Sequence, residues 1–138
     1  MNWKARVPLF AAALWWGSLT AIGFIAVPLL FSHLPVSSAG YMAARLFTAQ
    51  SWISIAGGLL LLITARSDEP ARMDWGQGAL GFVIAGLLLA VLLEYTVAPK
   101  IVTRQDPAFW HSLGTVFYGA QWVCAVVVFW KLLSARTS

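Results

Sequence analysis

The chain has almost no cysteine and few charged residues. Cys124 is the only cysteine among 138 residues, so there is no internal disulfide and no CxxC metal or redox motif. Charged residues make up 10% of the chain, whereas hydrophobic residues make up 60%. A soluble domain needs polar helix faces that this composition does not supply. The composition therefore indicates a membrane protein, in which we expect Cys124 to be a buried side chain of the last span.

The chain also lacks the motifs of common enzymes. It has no Ser-His-Asp set, no glycine-rich phosphate loop and no paired carboxylates, so a non-catalytic protein is favoured. The formal net charge of +4 is small, and the basic residues stand beside the ends of apolar runs. This distribution is typical of a membrane-topology signal and predicts no nucleic-acid partner.

Four apolar runs are each near the length of about 20 residues that crosses a bilayer. They predict an all-α integral membrane four-helix bundle, in a single transmembrane domain over residues 1–138. We expect the helices at about 7–31, 41–65, 76–98 and 109–133. A proline inside a helix kinks or ends it, so Pro28 and Pro99 are expected to end the first and third helices.

Basic residues beside the helix ends predict the orientation. One side of the membrane receives Lys4, Arg6, Arg66, Arg72, Lys131 and Arg136, and the other receives Lys100 and Arg104. Because Lys and Arg favour the cytoplasmic side, both termini are predicted to be cytoplasmic. The compact, multi-pass chain favours a bacterial inner (plasma) membrane, with the lipid bilayer as its first partner and a homo-oligomer or a membrane complex as further candidates.

A spacing of four, three and four residues occurs in both the second and the fourth span. This spacing is shown by Tyr41, Arg45, Thr48 and Trp52, and a displacement of 70 residues leads to His111, Thr115, Tyr118 and Trp122. The pattern predicts two similar helical hairpins in parallel orientation, related by an axis along the membrane normal. A chance match among helices rich in Trp and Phe is the alternative.

The ionisable and polar residues of the spans fall at similar depths, at about 1.5 Å of rise per residue. They predict a polar cluster in the outer half of the bundle, which consists of Arg45, Glu94, Thr48, Gln50, Thr115, Tyr118 and Gln121. In one interpretation Arg45 and Glu94 form an ion pair that fixes helix register. In the other, the cluster is an outward-opening site that binds or passes a small ligand or ion.

A metal or haem site is a third interpretation. His33 and His111 lie near one surface and are weak candidate ligands, because their spacing matches no dedicated motif. No cofactor is predicted from the residues alone. A haem- or copper-binding redox protein is therefore the alternative to the ligand- or ion-binding protein, and a non-catalytic membrane subunit is a further possibility.

Five short stretches carry a resemblance to a known family. They are Leu14-Trp15-Trp16-Gly17-Ser18, Val27-Pro28-Leu29-Leu30-Phe31, Ala39-Gly40, Ala44-Arg45-Leu46-Phe47 and Phe109-Trp110-His111. Together they resemble the bacterial relatives of eukaryotic transmembrane protein 205, a domain of unknown function. That family is distantly similar to copper-resistance D membrane proteins and to haem-containing membrane protoporphyrinogen oxidases. The resemblance implies a metal or haem role but transfers no ligands, because no His lies mid-membrane in the first two spans.

Overall fold

Four long helices make up the structure, a computed structural model that describes residues 3–65 and 79–137. They are α1 (Trp3–His33), α2 (Val36–Ala65), α3 (Ala79–Val102) and α4 (Pro107–Thr137). All four are long and apolar enough to cross a membrane, which confirms the prediction of an all-α four-helix membrane protein. The connection between the second and third predicted helices, with Arg66 and Arg72, and the predicted start of the third helix at 76 lie outside the described residues.

Both ends of α1 and α4, the start of α2 and the end of α3 lie beyond the predicted ones, because a helix continues after its sequence ceases to be apolar. The predicted helices at 7–31 and 41–65 leave a connection of residues 32–40, but the structure reduces it to Leu34 and Pro35, and α2 already begins at Val36. The second short connection, 103–106, turns sharply through left-handed backbone at Arg104 (φ 56°) and Asp106 (φ 43°). We call the end of the bundle with these two connections the short-loop end, and the end with both chain termini the terminal end.

Pro28 and Pro99 do not end their helices, which corrects the expectation from the sequence. A proline has no N–H and its ring crowds the carbonyl four residues earlier. Both helices accommodate this with a π-helical turn, over Ala21–Ala26 in α1 and over Leu93–Val97 in α3. The residue before each proline bonds five residues back, from Val27 to the Ile22 carbonyl and from Ala98 to the Leu93 carbonyl. The wider turn lets each helix continue past its proline.

The buried faces show that the two hairpins are equivalent. Buried positions of α1 and α2 recur in α3 and α4 at a displacement of 71 residues: Pro8 and Ala79, Ala12 and Val83, Trp15 and Gly86, Leu19 and Ala90, Gln50 and Gln121, Ser54 and Ala125, Gly57 and Val128, Leu61 and Leu132. The π-helical bonds of Val27 and Ala98 follow the same displacement. The displacement between the two hairpins is thus 71 residues, one more than the displacement predicted from the four-three-four spacing.

Two pairs of equivalent residues contact each other in the centre of the bundle. The Trp15 indole lies against Gly86, where a Cβ would overlap the ring. Phe47 meets Tyr118 edge to face, with ring centroids 5.4 Å apart. In a two-fold arrangement a residue touches its own equivalent only at the axis. The approximate two-fold axis therefore runs along the bundle past both pairs, as expected for hairpins related about the membrane normal.

Candidate functional site

Two equivalent glutamines are buried in the middle of the bundle. Gln50 and Gln121 are each 2% exposed, and each lies at the centre of its helix, α2 (Val36–Ala65) or α4 (Pro107–Thr137). Polar side chains in the core of a membrane bundle are expensive to bury and are rarely there for packing alone. We call these two residues and their hydrogen-bond partners the glutamine layer.

Gln121 forms the α4 side of this layer. The Trp15 indole N–H donates to Gln121 Oε1 at 3.1 Å, and the Trp15 side chain is 0% exposed. An indole N–H in an apolar interior needs an acceptor, so the bond removes a desolvation penalty from both residues. This bond links α1 to α4 in the middle of the membrane.

Gln50 forms the α2 side of the layer and is only partly satisfied. Its Nε2 donates to Ser18 Oγ at 3.1 Å and to Ser54 Oγ at 3.0 Å, while Ser18 Oγ donates to the Trp15 carbonyl at 3.0 Å. Gln50 Oε1 is buried and has no hydrogen-bond partner within residues 3–65 and 79–137. A buried acceptor without a donor is destabilising by about 1–3 kcal/mol, so it requires a functional or structural reason.

A second set of bonds ties α4 to α1 near the π-helical turn of α1. The Tyr118 hydroxyl donates to the Leu19 carbonyl at 2.6 Å, and the Trp122 indole donates to Thr20 Oγ1 at 2.9 Å. A π-helical turn shifts the helix bonding by one residue and leaves a carbonyl near its start without a helix donor. The Tyr118 hydroxyl supplies a donor to the Leu19 carbonyl beside this turn, and Gly23 leaves room for the Tyr118 ring, which a Cβ would overlap.

The predicted cluster is therefore divided between the interior and the surface. Gln50, Tyr118 and Gln121 are in the interior network, whereas Arg45, Thr48 and Thr115 are exposed. Arg45 lies two residues after buried Ala43, which places it about 200° further round α2 and opposite its buried face. Its guanidinium lies 5.7 Å from the centre of the Tyr41 ring.

Glu94 is half-buried within the π-helical turn of α3. It is the only carboxylate within the described parts of the four helices. Arg45 and Glu94 form no ion pair with each other in the described chain. The structure thus gives Glu94 a place beside the bundle interior but does not join it to Arg45.

We expect the substitutions Arg45→Met and Glu94→Gln to act additively. Sites that do not touch change stability independently, within about 0.5 kcal/mol. Denaturant unfolding in detergent of the wild type, both single variants and the double variant gives the coupling energy. A coupling energy above about 1 kcal/mol would show that the two side chains meet in the membrane.

The two candidate metal ligands lie at the short-loop end. His33 and His111 are both exposed, and His33 Nδ1 is within hydrogen-bond distance of Ser32 Oγ (2.9 Å) and of the Leu29 carbonyl (3.1 Å). Over the part of the chain that the structure describes, no three His, Cys, Asp or Glu residues gather in a group that could hold a metal ion. Binding of haem or copper by these histidines stays an alternative that the structure does not test.

Several residues of the site were not among the predicted ones. Trp15, Ser18, Thr20, Ser54 and Trp122 all make interior hydrogen bonds between or within helices. The sequence could have indicated Ser54 as a partner of Gln50, because it lies four residues later and therefore on the same helix face. The pairing of Trp15 with Gln121 had none, since it depends on how α1 and α4 pack.

The fold and the site together define a multi-pass α-helical membrane protein made of two equivalent hairpins around a neutral polar core. Within that class the chain belongs to the family described as Domain of unknown function (DUF4149), which it matches over residues 10–109. The match includes Trp15, Gln50 and Glu94 and ends near the start of α4. No curated protein and no solved structure matches the chain.

Proposed function

We propose that this protein is non-catalytic and binds a small polar solute or a monovalent cation at the glutamine layer, through which the solute passes across the bundle. The observation that carries the proposal is Gln50 Oε1, a buried acceptor in the middle of the membrane without a partner among the described residues. A solute that donates a hydrogen bond, or a cation, would satisfy this oxygen. Binding would then offset the desolvation penalty of this buried oxygen.

The chemistry of the layer narrows the class of solute. The groups that hydrogen-bond there are amides, hydroxyls and an indole, all of them neutral. Amide oxygens replace part of the hydration shell of a monovalent cation, as carbonyl oxygens do in selectivity filters. Divalent cations usually take carboxylate ligands as well, and an anion would face an unpaired acceptor oxygen. A neutral hydrogen-bond donor or a monovalent cation therefore fits best.

The position of Glu94 supports entry of the solute from the short-loop end. The carboxylate lies in the half of α3 near that end, within a π-helical turn that has its equivalent in α1. Interrupted helices at a repeat interface are typical of solute sites in transporters, and π-helical turns are frequent at functional sites. A negative charge at this position would concentrate cations near the glutamine layer.

Flux into proteoliposomes tests the proposal. Glycerol entry followed by light scattering, and K⁺ entry followed by an indicator dye, should exceed the rates of empty liposomes for at least one solute. Gln50→Leu keeps the side-chain volume but removes the amide, so flux should fall to background. Thr48→Val is the matched control, because it makes an exposed residue of the same helix apolar and should leave flux unchanged.

Glu94→Gln separates the two solute classes. If the substrate is a cation, this change should slow K⁺ entry while the protein stays folded; if the substrate is neutral, glycerol entry should be unaffected. A wild-type rate equal to that of empty liposomes, or a Gln50→Leu rate equal to the wild type, would reject a pathway through the glutamine layer.

A redox role is the second candidate, and its support is the position of His33 and His111 at the same end of the bundle. The resemblance to transmembrane protein 205 relatives, and through them to copper-resistance D proteins and membrane protoporphyrinogen oxidases, favours haem or copper there. A haem Soret band or stoichiometric copper in the purified protein, lost in His33→Ala, would favour this role over solute passage.

The proposed setting is a bacterial inner membrane with both termini in the cytoplasm. Its support is the excess of Lys and Arg beside the helix ends of one side. Lys4, Arg6 and Lys131 lie at the terminal end, and the sequence assigns Arg66, Arg72 and Arg136 to the same side, against Lys100 and Arg104 at the short-loop end. In this orientation Glu94 lies toward the periplasm. The protein acts there alone, as a homo-oligomer or as a subunit of a membrane complex.

A further inference from the structure

A groove lies between α1 and α4 at the terminal end of the bundle. It has a volume of about 520 Å³ and is lined by Arg6, Leu9, Phe10, Ala13, Phe129 and Leu133. This volume is within the range of sites that hold small organic ligands, about 300–1,000 Å³. All lining residues but Arg6 are apolar, so the groove joins one cationic side chain to an apolar surface.

The groove is built from single faces of two helices. Arg6, Leu9, Phe10 and Ala13 recur at the spacing that places residues on one side of a helix, and Phe129 and Leu133 are four residues apart on α4. Ala13 is the small residue between larger neighbours, and it leaves the space open. Trp16, one turn deeper than Ala13, packs against Phe129 with ring centroids 6.1 Å apart.

The groove is short enough to lie within one leaflet of a bilayer. From Arg6 to Ala13 the helix rises about 10 Å, which is less than the roughly 15 Å of hydrocarbon in one leaflet. Arg6 is exposed and lies on the terminal side of the apolar lining residues. Its charge is thus at the level of the lipid headgroups, while Ala13 and Phe129 lie at the level of the acyl chains.

We propose that this groove binds an anionic phospholipid, whose phosphate pairs with Arg6 and whose acyl chain lies along Ala13 and Phe129. Charge complementarity selects the occupant, because a basic residue next to an apolar intramembrane groove favours an anionic headgroup over a zwitterionic one. The site is separate from the glutamine layer, so it does not depend on the proposed solute pathway.

Native mass spectrometry of the full chain in detergent tests the site. Dioleoyl phosphatidylglycerol should bind about fivefold more tightly than dioleoyl phosphatidylcholine, the ratio expected from one basic residue at a headgroup. In Arg6→Gln the two lipids should bind equally tightly. Lys4→Gln is the matched control, since Lys4 is exposed at the same end, lies over the Trp3 ring and does not line the groove. Its ratio should equal that of the wild type.

Filling the groove tests the acyl-chain half of the proposal. Ala13→Leu should weaken binding of both lipids at least fivefold, whereas Ala56→Leu, on an exposed face of α2, should not. Circular dichroism and melting in detergent establish that both variants are folded. The proposal is overturned if Lys4→Gln lowers the lipid ratio as much as Arg6→Gln does, or if Ala13→Leu leaves lipid binding unchanged. Loss of a dimer in Ala13→Leu would instead assign the groove to a second copy of the chain.

Discussion

Replacing Trp15 with alanine is expected to lower the free energy of unfolding by about 3–5 kcal/mol. The Trp15 side chain is completely buried, and it crosses the centre of the bundle to contact Gly86. Helices in a membrane associate largely through close packing, so a cavity on the central axis removes contacts that lipid cannot replace. The change also removes the donor that Gln121 Oε1 binds at 3.1 Å.

Trp52→Ala is the matched control for this prediction. Trp52 is 58% exposed on the outer face of α2, so its removal should change stability by no more than about 0.5 kcal/mol. Denaturant titration in mixed micelles, followed by circular dichroism, gives both values. Equal losses in the two variants would mean that Trp15 does not hold the centre of the bundle together.

The architecture could be predicted from the sequence because hydropathy reports directly on membrane spans. Each of the four helices was expected, and Cys124 is buried in the last of them, as predicted. The positions of the helix ends were less predictable, since hydropathy detects the apolar part of a helix and not its polar continuation. The continuation of α1 to His33 past Pro28 also required a π-helical turn, which no residue pattern specifies.

The register of the repeat shows which residues preserve a packing relation. The predicted displacement of 70 residues rests on a four-three-four spacing that ends at Trp52 and Trp122. These two residues have different surroundings: Trp52 is largely exposed, whereas Trp122 bonds to Thr20. The displacement of 71 residues appears in the buried faces and in Pro28 and Pro99 with their π-helical turns. Buried positions are constrained by the neighbouring helix, while lipid-facing positions accept many apolar residues. An alignment of conspicuous aromatic residues therefore lacked the relevant constraint.

The sequence predicted how deep each residue of the candidate site lies in the membrane, but not the direction in which its side chain points. Rise along a helix places Arg45 and Glu94 at similar levels, and it places Gln50 near the middle of the membrane. The direction of each side chain follows from the buried face, which for α2 includes Ala43, Gln50 and Ser54. This small and polar stripe orients α2 and places Arg45 on the lipid-facing surface. The interhelical bonds of Trp15 and Tyr118 depend on tertiary packing and required the structure.

The equivalence of the hairpins gives the glutamine layer a physical rationale. Gln50 and Gln121 occupy matching positions, but only Gln121 has its carbonyl oxygen bonded, because Trp15 is present on one side of the axis and Gly86 on the other. Two copies of the tryptophan would clash at the axis. The asymmetry that avoids this clash therefore leaves Gln50 Oε1 without a donor in the described chain.

Gly86→Ala is expected to lower the free energy of unfolding by about 1–3 kcal/mol, although alanine is the better helix former. A Cβ at this position would overlap the Trp15 ring and would lie 3.5 Å from the Cys124 Cβ, so it is confined on two sides. Trp15 cannot turn away without losing its bond to Gln121. Gly17→Ala is the control, because nothing lies within 4 Å of its Cβ position, and its stability should stay constant or rise slightly.

A second substitution identifies the cause of that loss. Trp15→Phe shortens the ring that meets Gly86, so Gly86→Ala should be less harmful in the Trp15→Phe background than in the wild type. The difference is the coupling energy of a double-mutant cycle, and for contacting residues we expect about 0.5–3 kcal/mol. Strictly additive losses would show that the alanine is accommodated without displacing the indole, and the contact across the axis would then not limit the packing of the two hairpins.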